Sequence, residues 1–377
     1  MRILVISKRQ YTNLDLIDDR FGRLRELPLA LAKSGNEVTG ICLNYRSRDE
    51  GRRDDVTKDA LVAWYTLNIK RLLPGGSISY WRTIDTIGRD FRPDLVWACS
   101  DAVHAILGVR IAKRLKTSLV IDLYDNFESF PVTKIPGMIQ AFRRALRRAD
   151  GITCVSHPLA QYVRETSLCK CPIKVIENAV PEGVFYPMDR TNSRRELGLP
   201  QDGVFIGTAG AISKSRGIET LFKAFEILAQ ENSNLHLVLA GVCDKGVNIP
   251  QHPRLHYLGM LPTNVVPIFL STLNVSVICN RESDFGKYCF PQKFYESVAC
   301  GIPVVSAGTG SMLELFKDKT EILFEPEKAD HLAMVLRRQI NKPVVCTLEA
   351  PSWNMLGIRL YEFFQSCIKL YLDSSHK

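Results

Sequence analysis

Short runs of apolar, largely β-branched residues recur along both halves of this chain, each closing on a glycine or polar loop and followed by a helix-period pattern. In the first half, Arg2 to Ser7 reads as a strand, about Phe21 to Lys33 as a helix stopped by Ser34-Gly35-Asn36, and Glu37 to Leu43 as the next strand. Leu95 to Cys99, a helix to Lys116 and Ser118 to Leu123 repeat the unit. In the second half Val204 to Thr208, a helix from Ile218 to about Gln230, Leu235 to Ala240, Arg254 to Leu258, a helix from about Val265 to Leu270 and Asn274 to Ile278 do the same. Such alternation predicts an α/β chain with two Rossmann-like, doubly wound domains built on parallel sheets.

A length of 377 residues fits two domains of roughly 150–200 residues. The polar, proline- and glycine-bearing segment Pro181 to Pro200 reads as a linker, and the boundary is placed near Pro187. Residues 1–187 and 188–351 are thus the expected domains, with helical segments, including Trp353 to about Leu372, finishing the chain. The charge-dense stretch Arg46 to Asp59 reads as a surface excursion.

Hydrophobic residues make up 46% and charged residues 24%, which excludes a disordered or fibrous chain. No apolar run approaches the roughly 18 residues that would span a bilayer, and the opening MRILVISKRQ is too short in its apolar part for a signal peptide. Of the eleven cysteines one close pair, Cys169-Lys170-Cys171, stands out, without a second pair at zinc-site spacing. Reduced thiols in a cytoplasmic protein, with no metal site and no cofactor, are the expectation.

The formal charge of +9 is uneven. Residues 1–190 carry 30 Lys and Arg against 22 Asp and Glu, and residues 191–377 carry 19 against 18. The basic surplus in the first half suits an acidic partner or is a general solubility charge. Within KIPGMIQAFRRALRRA, residues 134–149, apolar Ile139, Phe142 and Leu146 fall at helical spacing beside Arg143, Arg144, Arg147 and Arg148. That helix either lies on an anionic membrane surface, at the inner face of the membrane, or packs its apolar stripe on its own domain. The basic residues do not interleave with aromatics in a nucleic-acid-binding module, so no nucleic-acid partner is expected.

Two stretches of the second half carry anion-binding chemistry. Strand Val204 to Thr208 leads through Gly210 and the loop AISKSRG into a helix, presenting amides to a phosphate beside Lys214 and Arg216. The stretch Asp284 to Ser306 reads as a loop, a short helix entered through Pro291, a stop at Ala299-Cys300-Gly301 and a buried strand. It carries Lys293 and Glu296, a cation and a carboxylate that together suit a nucleotide sugar. In the first half, Asp125 and Glu128 follow a strand end, where open α/β sheets place ligands; they either orient an acceptor hydroxyl or cap the following turn.

Taken jointly, Lys174-Val-Ile-Glu-Asn178 with Phe185-Tyr-Pro187, Gly210 to Gly217 followed by Ile-Glu-Thr-Leu, and Pro291 to Val305 resemble the retaining, two-Rossmann-domain (GT-B) glycosyltransferases of glycosyltransferase family 4. The resemblance runs from about Met1 to Tyr371. It implies two domains facing a cleft that closes over a nucleotide diphosphate sugar, held mainly by the second domain, with a basic, acceptor-binding first domain. It implies transfer of a glycosyl group with retention to a glycan or glycolipid hydroxyl, in polysaccharide, lipopolysaccharide or glycolipid synthesis, without a metal. Arg216 fills one diphosphate-binding position, while the position usually held by arginine after Gly210 is Ala211; Lys214 and Lys293 are the candidates to compensate. Glu296 matches the second of the family's paired glutamates, which binds the donor ribose, and the first falls on Tyr288. The donor set is therefore Gly210, Lys214, Arg216, Tyr288, Lys293 and Glu296. Arg216, Lys293 and Asp125 are the candidates for catalysis, and Gly22 and Glu128 lie on the acceptor side. The final helix resembles the segment that returns to the first domain. The alternatives are a sugar-nucleotide-binding scaffold without turnover and a nucleotide-sugar epimerase on the same fold.

Overall fold

The computed structural model describes residues 1–11, 14–46, 48–72, 77–317 and 319–375. The chain divides into two compact units, Met1–Glu177 with Trp353–Lys377, and Asn178–Ser352.

The first unit is built on the strands β1 (Arg2–Lys8), β2 (Gln10–Tyr11), β3 (Leu14–Asp15), β4 (Glu37–Asn44), β5 (Gly51–Val56), β6 (Leu61–Asn68), β7 (Leu95–Ala98), β8 (Ser118–Leu123), β9 (Gly151–Cys154) and β10 (Ile173–Val175). Eight of them form a sheet in the order β10-β9-β8-β7-β1-β4-β6-β5, parallel except for the β5–β6 pair. Helices α1 (Arg23–Lys33), α2 (Ser77–Phe91), α3 (Ala102–Leu115), α4 (Met138–Leu146) and α5 (His157–Ser167) alternate with the strands. Because helices cover both faces, the interior strand Ile3-Leu4-Val5-Ile6 is buried on both sides and reads as a continuous apolar run.

In the second unit β11 (Val204–Ala209), β12 (Leu235–Ala240), β13 (Leu255–Tyr257), β14 (Val275–Ile278), β15 (Val304–Ala307) and β16 (Leu323–Phe324) are all parallel, in the order β13-β12-β11-β14-β15-β16. Its helices are α6 (Arg190–Glu196), α7 (Ile218–Glu231), α8 (Val266–Thr272), α9 (Asp284–Tyr288), α10 (Gln292–Ala299), α11 (Gly310–Leu315) and α12 (Ala329–Asn341). Successive strand residues serve opposite cores. Ile206 and Leu237 pack with Phe225 and Leu336 on one face, while Phe205 and Val238 pack with Phe269 and Phe294 on the other.

The last helix, α13 (Trp353–Ser375), belongs to the first unit. Gly357 lets it approach Ala30 of α1, and Phe364 meets the edge of Trp97 at 5.5 Å between ring centroids.

Three expectations change. The division falls after Glu177 and not near Pro187, because Asn178 donates to the Phe290 carbonyl at 3.2 Å and Phe185 is buried in the second unit's core. The stretch Arg46 to Asp59 contains an edge strand, β5, whose charged side chains keep that edge from pairing further. Asp284–Tyr288 is a helical turn capped by Ser283, whose hydroxyl accepts from the Gly286 amide at 3.2 Å, and Pro291 caps the following helix from outside.

Candidate donor site

In each sheet the chain leaves its first strand in one direction and later returns to the other side, so neighbouring loops part at the carboxyl ends. In the second unit that switch lies between β11 and β14, and open α/β sheets bind ligands there. The loop after β11 begins at Gly210, whose φ is 108°, and ends at Gly217, where α7 starts. The segment after β14 runs through α9 into α10.

Those two segments meet at Gly210 and Lys293. A Cβ placed on Gly210 would lie 2.5 Å from Cε and 2.6 Å from Nζ of Lys293, so the amine rests where only a glycine leaves room. Arg216 lies on the same loop, with its guanidinium 4.4 Å from the Phe285 ring centroid. Lys214 is exposed and Arg216 half-buried. Ala211 is exposed and contributes no charge.

Burial, and next the nearby Arg216 charge, lower the Lys293 pKa to about 8, against the pull of Glu296. Burial raises the Glu296 pKa to about 7, with Lys293 and the hydrogen bond from Gln292 Nε2 at 3.2 Å opposing it. A cation and an acid on one helix are thus both held close to neutrality's edge, the pattern expected where a ligand is to complete the charge balance. Tyr288 ends α9 and is half-buried. Gly210, Arg216 and Lys293 are brought together, and Glu296 stands three residues along α10 from Lys293.

On the first unit the sheet's switch lies between β1 and β7. Lys8, at the end of β1, has its Nζ 5.6 Å from the Tyr124 ring centroid and 5.5 Å from that of Phe130. Burial lowers its pKa, while Asp101 and Asp125 pull the other way. Asp101 caps α3, takes the Tyr45 hydroxyl at 2.9 Å and lies 2.8 Å from His104 Nδ1. Burial works against its charge, yet His104 holds its carboxyl well below the usual range. This cluster was missed in the sequence as a group; the signal was Ser100-Asp101 following an apolar strand. Asp125 accepts from the Asn126 amide at 2.7 Å. Glu128 is taken by Arg143 through two bonds, of 2.7 and 2.6 Å, and by the Tyr162 hydroxyl at 2.9 Å. Gly22, φ 91°, caps α1. Next to it the fully buried Arg23 grips Asp122 at 3.2 and 2.8 Å and the carbonyls of Ile176 and Glu177.

Among the described residues no group of His, Cys, Asp and Glu is placed to hold a metal, and no helix is long and apolar enough to cross a membrane.

Residues 189–350 match the family model of group 1 glycosyl transferases, and residues 23–183 match that of glycosyltransferase family 4. TuaC of Bacillus subtilis (strain 168), assigned to teichuronic acid biosynthesis, is 24% identical over 68% of this chain and 65% of its own length. The chain thus spans a little under two thirds of that relative. The alpha-monoglucosyldiacylglycerol synthase of Streptococcus pneumoniae (strain ATCC BAA-255 / R6) is 20% identical over 78% of this chain and 69% of its own. Among solved structures, HepE of Anabaena in complex with UDP and glucose superposes with a TM-score of 0.70, 17% identity, 97% of this chain and 99% of its own. Two parallel-sheet units, a glycine loop facing a lysine-bearing helix, and family models matched on each half lead to one conclusion: the chain belongs to glycosyltransferase family 4, the group 1 glycosyl transferases, with the GT-B fold.

Proposed function

We propose that the protein is a retaining glycosyltransferase that moves a sugar from a nucleoside diphosphate donor to an acceptor hydroxyl in polysaccharide, lipopolysaccharide or glycolipid synthesis. The observation that carries this is the Lys293 amine lying over Gly210, beside the Arg216 loop and one turn from Glu296. In this reading Arg216 and Lys293, with the amides after Gly210 and Lys214 at the exposed rim, stabilise negative charge as the diphosphate departs. Lys293 supplies the charge that Ala211 lacks. Glu296 accepts hydroxyls of the donor ribose, and Tyr288 contacts the donor sugar as donor or acceptor of one hydrogen bond. HepE, solved with UDP and glucose, supports a nucleotide-sugar donor. Removing one of the two cations is expected to cost about 2.7–4 kcal/mol of barrier, as for a lost oxyanion donor.

The first unit binds the acceptor at the carboxyl ends of its strands, near Gly22 and Asp125. Asp125 faces the acceptor hydroxyl, whereas Glu128, held by Arg143 and Tyr162, fixes the loop that carries Asp125. Phe142 and Leu146 of α4 are buried, so its apolar stripe packs on its own domain, but the exposed Arg144, Arg147 and Arg148 leave a cationic surface suited to an anionic bilayer, consistent with a cytoplasmic, peripheral protein. Catalysis needs no metal in this reading because side-chain cations take its place.

Ala211 also favours a second reading, a donor-binding scaffold without turnover. Screening the purified protein with several nucleotide sugars and glycolipid extracts, and following released nucleoside diphosphate, separates the two. Donor binding with no release on any acceptor would leave only the scaffold.

A further inference from the structure

The short helix α9 sets a phenylalanine against one of the two donor-site cations. The Arg216 guanidinium lies over the Phe285 ring, 4.4 Å from its centroid, and among the described residues no carboxylate or carbonyl takes that guanidinium. The backbone beneath it is already fixed. The Arg216 amide donates to the Ser213 carbonyl at 3.1 Å, the Gly217 amide to the Lys214 carbonyl at 2.9 Å, and the Ile212 amide to the Val242 carbonyl at 2.9 Å. Only the long side chain, with its many rotamers, is left to order. Arg281 fastens the two segments to each other. Its Nη2 donates to Glu219 Oε2 on the first turn of α7 at 3.1 Å, its Nε lies 3.4 Å from Glu327 Oε1, and its Cγ would stand 3.2 Å from a Cβ placed on Gly217. The Arg281 carbonyl accepts the Ser283 amide at 2.9 Å and is closed upon by Gly286, the residue after Phe285, where a Cβ would clash with it.

We propose that Phe285 is the positioning residue of Arg216: its ring holds the guanidinium in place for the donor diphosphate before the donor arrives, a role that stands on the reading of Arg216 as a diphosphate ligand. A carboxylate in the same place would neutralise the arginine and compete with the incoming phosphates. An aromatic face attracts the cation through its quadrupole and leaves the positive charge, with its fork of N–H donors, for the ligand. The ring also answers a repulsion. Arg216 and Lys293 are like charges in one empty site, close enough for the arginine to lower the lysine's pKa. Without the ring the guanidinium would swing toward water, and the cost of ordering it would be subtracted from every binding event. With Ala211 bringing no second guanidinium, the loop depends on where this one points.

The test is a coupling measurement on the whole protein and needs no glycosyl transfer. Kd is measured by isothermal titration for UDP, dTDP, GDP and ADP, and the tightest of them is carried through the variants. Phe285→Leu should raise that Kd on the order of fivefold, and Phe285→Tyr, which keeps the ring, should leave it within about twofold. Arg216→Met should weaken binding more, and adding Phe285→Leu to it should cost nothing further, because the ring has lost what it orders. A merely structural role for Phe285 would instead weaken binding by the same factor in both backgrounds. The unliganded protein gives an independent readout. The Nε–Hε resonance of Arg216, assigned by its loss in Arg216→Met, should be shifted upfield by ring current in the wild type and in Phe285→Tyr, and should return to its ordinary position in Phe285→Leu. Additive losses, or an Arg216 signal indifferent to Phe285, would overturn the proposal while leaving the donor site standing. A wild-type protein that binds none of the four nucleotides would overturn the donor reading itself, and the role of Phe285 with it.

Discussion

The affinity for a nucleotide sugar should rise and fall with pH, and the two limbs should belong to two named residues. Lys293 titrates at about 8 and Glu296 at about 7 in the unliganded protein. If only the ammonium form of Lys293 grips the diphosphate, about one tenth of the protein remains competent one unit above its pKa, so donor Kd rises about tenfold per unit on the alkaline side. On the acid side Glu296 gains a proton below about 7 and loses its capacity to accept two hydroxyl bonds, so Kd rises again. Affinity should therefore peak between the two values. Isothermal titration at constant ionic strength measures this, with an intact nucleotide sugar whose diphosphate diester has no proton of its own titrating near neutrality. Lys293→Arg should flatten the alkaline limb, because a guanidinium keeps its charge throughout, and Glu296→Gln should flatten the acid limb at a lower plateau. An alkaline limb that persists unchanged in the arginine variant would refute the assignment to Lys293.

Four further outcomes are expected. Glu296→Gln should raise the melting temperature of the unliganded protein at pH 8: the folded pKa is raised, so the native state loses stability as pH climbs from the unfolded carboxyl value through about 7, and glutamine escapes that loss. Gly210→Ala should lower the melting temperature, since its φ of 108° is strained for alanine by about 1–2 kcal/mol, and should weaken donor binding toward that of Lys293→Met by displacing the lysine. Arg23→Met leaves the Asp122 carboxylate buried without its partner and should cost about 3–5 kcal/mol in urea unfolding. Glu128→Gln should slow transfer to acceptor while leaving donor hydrolysis by water unchanged, and equal loss of both would show that Glu128 does more than hold the Asp125 loop.

The alternation of strands and helices was legible because parallel strands buried on both faces are written as unbroken apolar runs, as in Ile3 to Ile6 and Leu237 to Ala240. The segment Gly51–Val56 was not, because this edge strand carries Arg52, Arg53 and Asp54 outward, buries Asp55 against Arg25, and lacks that signature. The boundary was displaced for a different reason. Proline and glycine mark where a chain turns, but Asn178 is claimed by the Phe290 carbonyl, more than a hundred residues away in sequence, and Phe185 by the second unit's core. Glu128 shows the same limit at a side chain: a carboxylate at a strand end looks available until Arg143 and Tyr162 are seen to occupy it.

Lys293 and Glu296 break the rules that made the rest readable. An ammonium and a carboxylate drawn partly out of water each hold their charge less readily than in the unfolded chain, and the opposite charge three residues away offsets only part of that cost. A fold selected for stability alone would place neutral side chains there. A diphosphate reverses the balance, because two anionic phosphates restore the ammonium that burial suppresses, and ribose hydroxyls donate to the carboxylate that burial would protonate. The cost carried by the empty site is then differential binding energy for the occupied one, and glycine at position 210 is what lets the lysine reach the place where that energy is realised.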